Sequence, residues 1–224
     1  MRHLGTSLLS FFFIFCMHVQ TAWAERIQIN VLDVTLGVYL LLPEGSAEAP
    51  LLILMPGGSG EEALANNLQH WLGEELRERG WAVAIPVSPD GRSFRGDNNA
   101  LIPLLIDQLQ QREEIAAGQT LLAGISNGGM SALEIAAAAQ RKYYGVLAVP
   151  ALVPRGLDMS ALAGMPIYLR IGDQDEMGWM NRLEETRTAL EEAGAIVDAD
   201  LVFMAPHMFS MDWENLDPWL EALR

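Results

Sequence analysis

"TLLAGISNGGMSALEIAAAAQ", residues 120–140, changes character at its middle. The opening "TLLAGI" is a continuous apolar run, as expected of a strand buried on both faces. From residue 127 to 140 the chain turns rich in small and apolar residues and reads as a helix. Between the two stands Ser126, with Gly124 two residues before it and Gly128 two after. The spacing has a steric reason. A residue at the tip of a sharp strand-to-helix turn is held in a strained backbone conformation, and the residues two before and two after approach closely enough for side chains to clash. The following helix directs its free amides and dipole at the serine, where they favour developing negative charge. Ala132, Ala136 and Ala137 keep that helix thin enough to lie close on a sheet. This is the setting in which a G-x-S-x-G serine acts as a nucleophile. The plainer reading is an incidental serine in a glycine-rich loop or helix cap, so the rest of the chain has to decide.

Outward from this segment, short apolar runs alternate with helical patterns. "IQINVL" and "GVYLLLP" read as an opening antiparallel pair; "LLILMP", "WAVAIPV", "GVLAVPA", "PIYLRIG" and "AIVDADLVFM" read as further strands. Over residues 61–79, Leu64, Leu68, Trp71, Leu72 and Leu76 share one helical face, and Gly80 is placed to end the helix. Helical spacing recurs over 99–116 and 177–193, and "DWENLDPWLEAL" supplies a last amphipathic helix. The alternation predicts an α/β fold, a mostly parallel sheet of about eight strands with helices on both faces and right-handed crossovers. Little chain is left for a cap domain.

Composition bounds the rest. With 224 residues, half of them apolar, the chain can bury a sizeable core and is read as one domain over 25–224. Residues 1–24 differ from it: Arg2, the largely apolar "LLSFFFIFCMHV", then "TAWA" with Ala22 and Ala24 at the small-residue positions of a cleavage site. This reads as a secretory signal cut before Glu25, which predicts a periplasmic or secreted protein. The alternative is a retained membrane anchor, although the run is shorter than the ~20 residues a bilayer requires. Cys16 lacks the small residues expected before a lipidated cysteine; without it the mature chain has no disulfide. Loss of Arg2 leaves the protein one unit more acidic than its formal −15. Such charge speaks against nucleic acid and anionic membrane surfaces as partners, and no stable membrane insertion is expected after cleavage. A small neutral or cationic substrate is easier to accommodate; the oligomeric state is left open.

A serine hydroxyl needs a base within reach, itself oriented by a carboxylate. Of the two histidines after the leader, His70 lies mid-helix upstream of the serine, whereas His207 follows the last apolar strand in "APHMFSMDW". With the order serine, acid, histidine, only His207 qualifies. The acid should follow an intervening strand, and "PIYLRIGDQDEMG" offers Asp173, Asp175 and Glu176. Asp175 is favoured because the "GDQD" spacing sets it past the turn; Asp173 is the alternative, its plainer role being to bind turn amides. Asp158 lies too far from a strand end, and Asp212 reads as an N-cap for the last helix.

With these residues in place the chain resembles the α/β-hydrolase superfamily over nearly its whole length after the leader. Around Ser126, "GISNGGM" and the preceding "LIPLLIDQLQQREEI" resemble the secreted polyhydroxybutyrate depolymerase and feruloyl esterase group. The resemblance implies a triad of Ser126, Asp175 and His207. An oxyanion hole should use the backbone N–H of Asn127 and a second amide from "PGGSG" after "LLILM", Gly58 or alternatively Ser59. Here the chain departs from many members of the superfamily, which carry His-Gly where it has Pro56-Gly57.

Trp179, Met208 and Phe209, with Met180, Met211 and Trp213 nearby, are candidates to line an apolar acyl or aromatic pocket, or else to pack the core. No phosphate-loop motif and no closely spaced His or Cys pair occurs, so no cofactor and no metal is expected. The sequence therefore predicts a serine hydrolase of carboxylic esters. A peptidase or thioesterase with the same triad and a hydrolase-like binding protein without catalysis remain the alternatives.

Overall fold

The computed structural model describes residues 24–45 and 47–224. The predicted leader lies outside the described residues except for Ala24. In chain order the strands are β1 (Glu25–Val31), β2 (Val34–Leu41), β3 (Ala49–Met55), β4 (Ala82–Pro86), β5 (Ile115–Gly124), β6 (Tyr143–Ala148), β7 (Pro166–Gly172) and β8 (Ile196–Val202). The helices are α1 (Glu62–Leu68), α2 (Glu74–Glu78), α3 (Leu101–Leu109), α4 (Asn127–Ala137), α5 (Leu183–Glu192) and α6 (Trp213–Ala222). A π-helical turn, Gln69–Gly73, joins α1 to α2.

All eight strands form one sheet in the order β1-β2-β4-β3-β5-β6-β7-β8. The first hairpin is antiparallel, as is β2 to β4, and every other pair is parallel. The continuous apolar runs are explained by two-sided burial. On β3, Leu51, Ile53 and Met55 enter one core, which also holds Ile102 and Leu105 of α3, Leu133 of α4 and Leu190 of α5. Leu52 and Leu54 point the other way, into a second core with Leu72, Leu76, Leu216 and Leu220 from the helices around α2 and α6. A buried leucine of this kind contributes roughly 1.5–3 kcal/mol, so neither face can be left bare.

Two expectations are corrected. The helical pattern over 99–116 stops at Leu109, and Ile115 already belongs to β5. Pairing with β3 overrides the local pattern: Ala49 N–H donates to Glu114 O at 2.8 Å, and Ala49 and Ile115 are register partners. The last strand, β8, is not buried on both faces. It is one edge of the sheet, opposite β1, with Ile196 and Leu201 exposed and Asp198 and Asp200 along it, charges that discourage further strand pairing. Among the described residues no helix is long and apolar enough to cross a membrane.

Candidate active site

Ser126 stands between β5 and α4 with φ 55° and ψ −117°, a left-handed backbone conformation costly for any side-chain-bearing residue. The surroundings fix it: Ser126 N–H donates to Pro150 O at 2.8 Å, and Gly128 N–H to Ile125 O at 2.7 Å. The flanking glycines are required by contact. A Cβ on Gly124 would overlap the Gly128 carbonyl, and one on Gly128 would overlap the Met55 carbonyl at the end of β3. Gly129 is confined too, its Cβ position lying 2.8 Å from Pro150 O, a role the motif alone does not reveal. Although Ser126 occupies the N-cap position of α4, its side chain makes no cap hydrogen bond, so the hydroxyl is not consumed in holding the helix.

His207 lies in the loop after β8, and its Nδ1 is 2.8 Å from Asp175 Oδ2. The Asp175 side chain is fully buried, and its other oxygen accepts from Met177 N–H at 2.7 Å. A buried carboxylate on Nδ1 favours the tautomer with the proton there, which leaves Nε2 as the basic nitrogen. Asp173 accepts from Ala205 N–H at 3.1 Å, an amide of the loop after β8 and not of its own turn, and ties the two loops together. Glu176 adds a tie absent from the sequence reading, accepting from His207 N–H at 3.1 Å. Hydrogen bonds from its own backbone amide and from His207 hold the Glu176 carboxyl below the usual carboxylate range. Trp179 meets the His207 ring edge-on, centroids 4.9 Å apart.

Ser126 and His207 both line a cavity of about 320 Å³. Gly57, Gly58 and Ile125 form its floor near the serine; Leu64, Asn67, Leu68 and Trp71 come from the helical stretch after β3, and Met208 from beside the histidine. No hydrogen bond joins Ser126 Oγ to His207 among the described residues; such pairs commonly draw together only when substrate binds. The N–H groups of Asn127 and Gly58 donate to no acceptor among the described residues. Gly58 lines the cavity and Ser59 does not. The Asn127 side chain donates to Gly58 O at 3.0 Å, joining the turn after β3 to the start of α4.

Other predicted residues fall elsewhere. Of the three candidates for the pocket, Met208 lines the cavity; Phe209 is instead buried in the second core, because its side chain points inward from the loop, and Trp179 packs against His207. His70 is exposed and sits 3.1 Å from Glu74. Asp212 caps α6, accepting from Asn215 N–H, and Asp158 accepts from Ser160 N–H. The residues missed are the cavity wall. Leu64, Leu68 and Trp71 share one helical face with Leu72 and Leu76; Leu68 lines the cavity and also joins Leu72 and Leu76 in the second core, and Trp71 packs against that core from the cavity side.

No family model matches the chain, and no curated protein matches it. Solved structures do, over most of both chains. An esterase of the planctomycete Thermogutta terrifontis, with butyrate bound, superposes with a TM-score of 0.67 at 15% identity, covering 89% of this chain and 94% of that one. A dienelactone hydrolase-like promiscuous phosphotriesterase from metagenomic libraries gives 0.70 at 12% identity, covering 90% and 95%. A phospholipase/carboxylesterase of Dyadobacter fermentans gives 0.59 at 21% identity, covering 87% and 96%. The chain has the α/β-hydrolase fold. In open α/β sheets ligands bind beyond the C-terminal ends of the parallel strands, and Gly58, Ser126, Asp175 and His207 follow the C-terminal ends of β3, β5, β7 and β8.

Proposed function

We propose that this chain is a serine hydrolase acting on carboxylic esters. The observation that carries the proposal is Ser126, strained at the start of α4 with its hydroxyl uncommitted, on the same cavity as a histidine held by a buried aspartate. Ser126 Oγ attacks the ester carbonyl carbon while its proton passes to His207 Nε2. Asp175 orients the imidazole and stabilises its charge. The Asn127 and Gly58 amides receive the oxyanion; each such donor is worth about 10²–10³ in rate. When the C–O bond to the alcohol breaks, His207 returns the proton to the departing oxygen, leaving an acyl group on Ser126. Water, deprotonated by His207, then attacks the acyl carbon and releases the acid, and the proton goes back to Ser126.

The names of the neighbours, esterases and carboxylesterases among them, support an ester as substrate. The N-terminal sequence supports export, with residues 1–24 removed, to the periplasm or beyond. Hydrolysis of p-nitrophenyl butyrate tests the chemistry. Turnover that falls in Ser126→Ala by at least ~10³-fold is the expected result, since removal of a nucleophile of this kind is worth up to ~10⁶; turnover unchanged in the variant would remove the serine mechanism.

A further inference from the structure

Trp71 lies on the cavity wall contributed by a single helical stretch, with Leu64, Asn67 and Leu68 at the spacings that place them on one face. Among these and the remaining lining residues there is no lysine or arginine. A carboxylate entering the cavity would leave water without a cationic partner, which is costly, and the chain's formal charge of −15 adds a repulsive field. The volume limits size as well. At ~30 Å³ for each water-sized group, the cavity holds on the order of ten non-hydrogen atoms, the reacting ester included.

The backbone beneath Trp71 is unusual. It belongs to the π turn Gln69–Gly73, in which Glu74 N–H reaches Gln69 O, and turns of this kind concentrate at functional sites. The turn is held from behind: Leu72 is buried in the second core, and Gly73 sits so close to Ile85 that a Cβ there would lie 3.1 Å from its Cδ1. Trp71 itself remains partly exposed and is the largest side chain on the cavity. Its backbone is fixed by the core contacts of Leu72 and Gly73, while the indole packs on the margin of the second core with the cavity on its other side.

We infer that Trp71 is a specificity-determining residue that limits acyl chain length, in a cavity built for uncharged apolar acyl groups of short to medium length. The inference rests on the ester hydrolysis proposed above. The test compares kcat/KM for the p-nitrophenyl esters of butyrate, decanoate and, as an anionic acyl group, succinate in the wild-type protein, Trp71→Ala and Trp71→Phe. The wild type should favour butyrate over both others. The decanoate-to-butyrate ratio should rise by roughly tenfold or more in Trp71→Ala, the scale at which apolar pockets discriminate, with Trp71→Phe between. The succinate ester should stay poor in all three. A ratio that does not move across the variants, while Ser126-dependent turnover continues, overturns the role of Trp71 alone; succinate turned over as well as butyrate overturns the uncharged class. Absence of any ester turnover in the wild type would instead remove the ester reading, and this inference with it. Should Trp71→Ala fail to fold, Trp71→Phe still carries the comparison.

Discussion

Asp173 and Asp175 stand two residues apart on the same loop and face different partners. Asp175, buried, holds His207 Nδ1, whereas Asp173 holds the Ala205 amide. Asp175→Asn keeps the shape but presents the imidazole with a group that no longer selects its tautomer. The expected loss is about 10³–10⁴ in kcat on a p-nitrophenyl ester, with KM little changed. Asp173→Asn should retain most of the turnover, because it loses a loop hydrogen bond and no contact with His207; equal losses in the two variants would contradict the assignment. At this scale strand ends and chain order restricted the choices to Ser126, Asp175 and His207, and the structure sets Ser126 and His207 on one cavity with Asp175 bonded to the imidazole. Glu176 and the side chain of Asn127 were not legible, because each binds a backbone atom of a loop far away in sequence.

At the scale of elements, β5, the turn at Ser126 and α4 form a unit whose tightness depends on having no side chain at Gly124 and Gly128. Gly128→Ala would drive a methyl group into the Met55 carbonyl, and backbone has little room to yield. A stability loss of about 3 kcal/mol or more is expected, at the upper end of overpacking costs, read as a shifted midpoint in chemical denaturation. A midpoint within error of wild type would mean that the strand and helix are not so closely apposed. The alternation of apolar runs made β3 to β7 legible, since central parallel strands are buried on both faces. It located β8 too, although that strand lies at an edge and is not buried on both faces, and it failed at the end of α3, where pairing across the sheet decides the boundary. The π turn left no mark in the pattern, because Leu64 to Leu76 keeps an ordinary helical period while dividing its side chains between cavity and core.

For the whole molecule, the opening hairpin is tied to the helical layer by charge. Glu62 of α1 accepts from Arg26 of β1, at 2.8 and 2.6 Å, and from Tyr39 of β2 at 2.6 Å. These hydrogen bonds, Arg26 first and then Tyr39, hold the Glu62 carboxyl down to about 2, against an ordinary 4.5. The unfolded chain takes up this proton first as pH falls, so the contribution is present above about pH 4.5 and is lost on the way to about pH 2. Glu62→Gln should flatten the dependence of stability on pH across that window; an unchanged slope would show the network to be dispensable. Both groups are partly exposed, so the effect is expected to be small.

The reactivity of Ser126 tests the proposed hydrolase most directly. The protein, treated with a fluorophosphonate and digested, would be mapped by mass spectrometry. A single phosphonyl adduct on the peptide carrying Ser126, absent in Ser126→Ala and much slower to form in His207→Ala, is the result predicted. No adduct on a folded protein, or an adduct formed equally well at another residue, would contradict it.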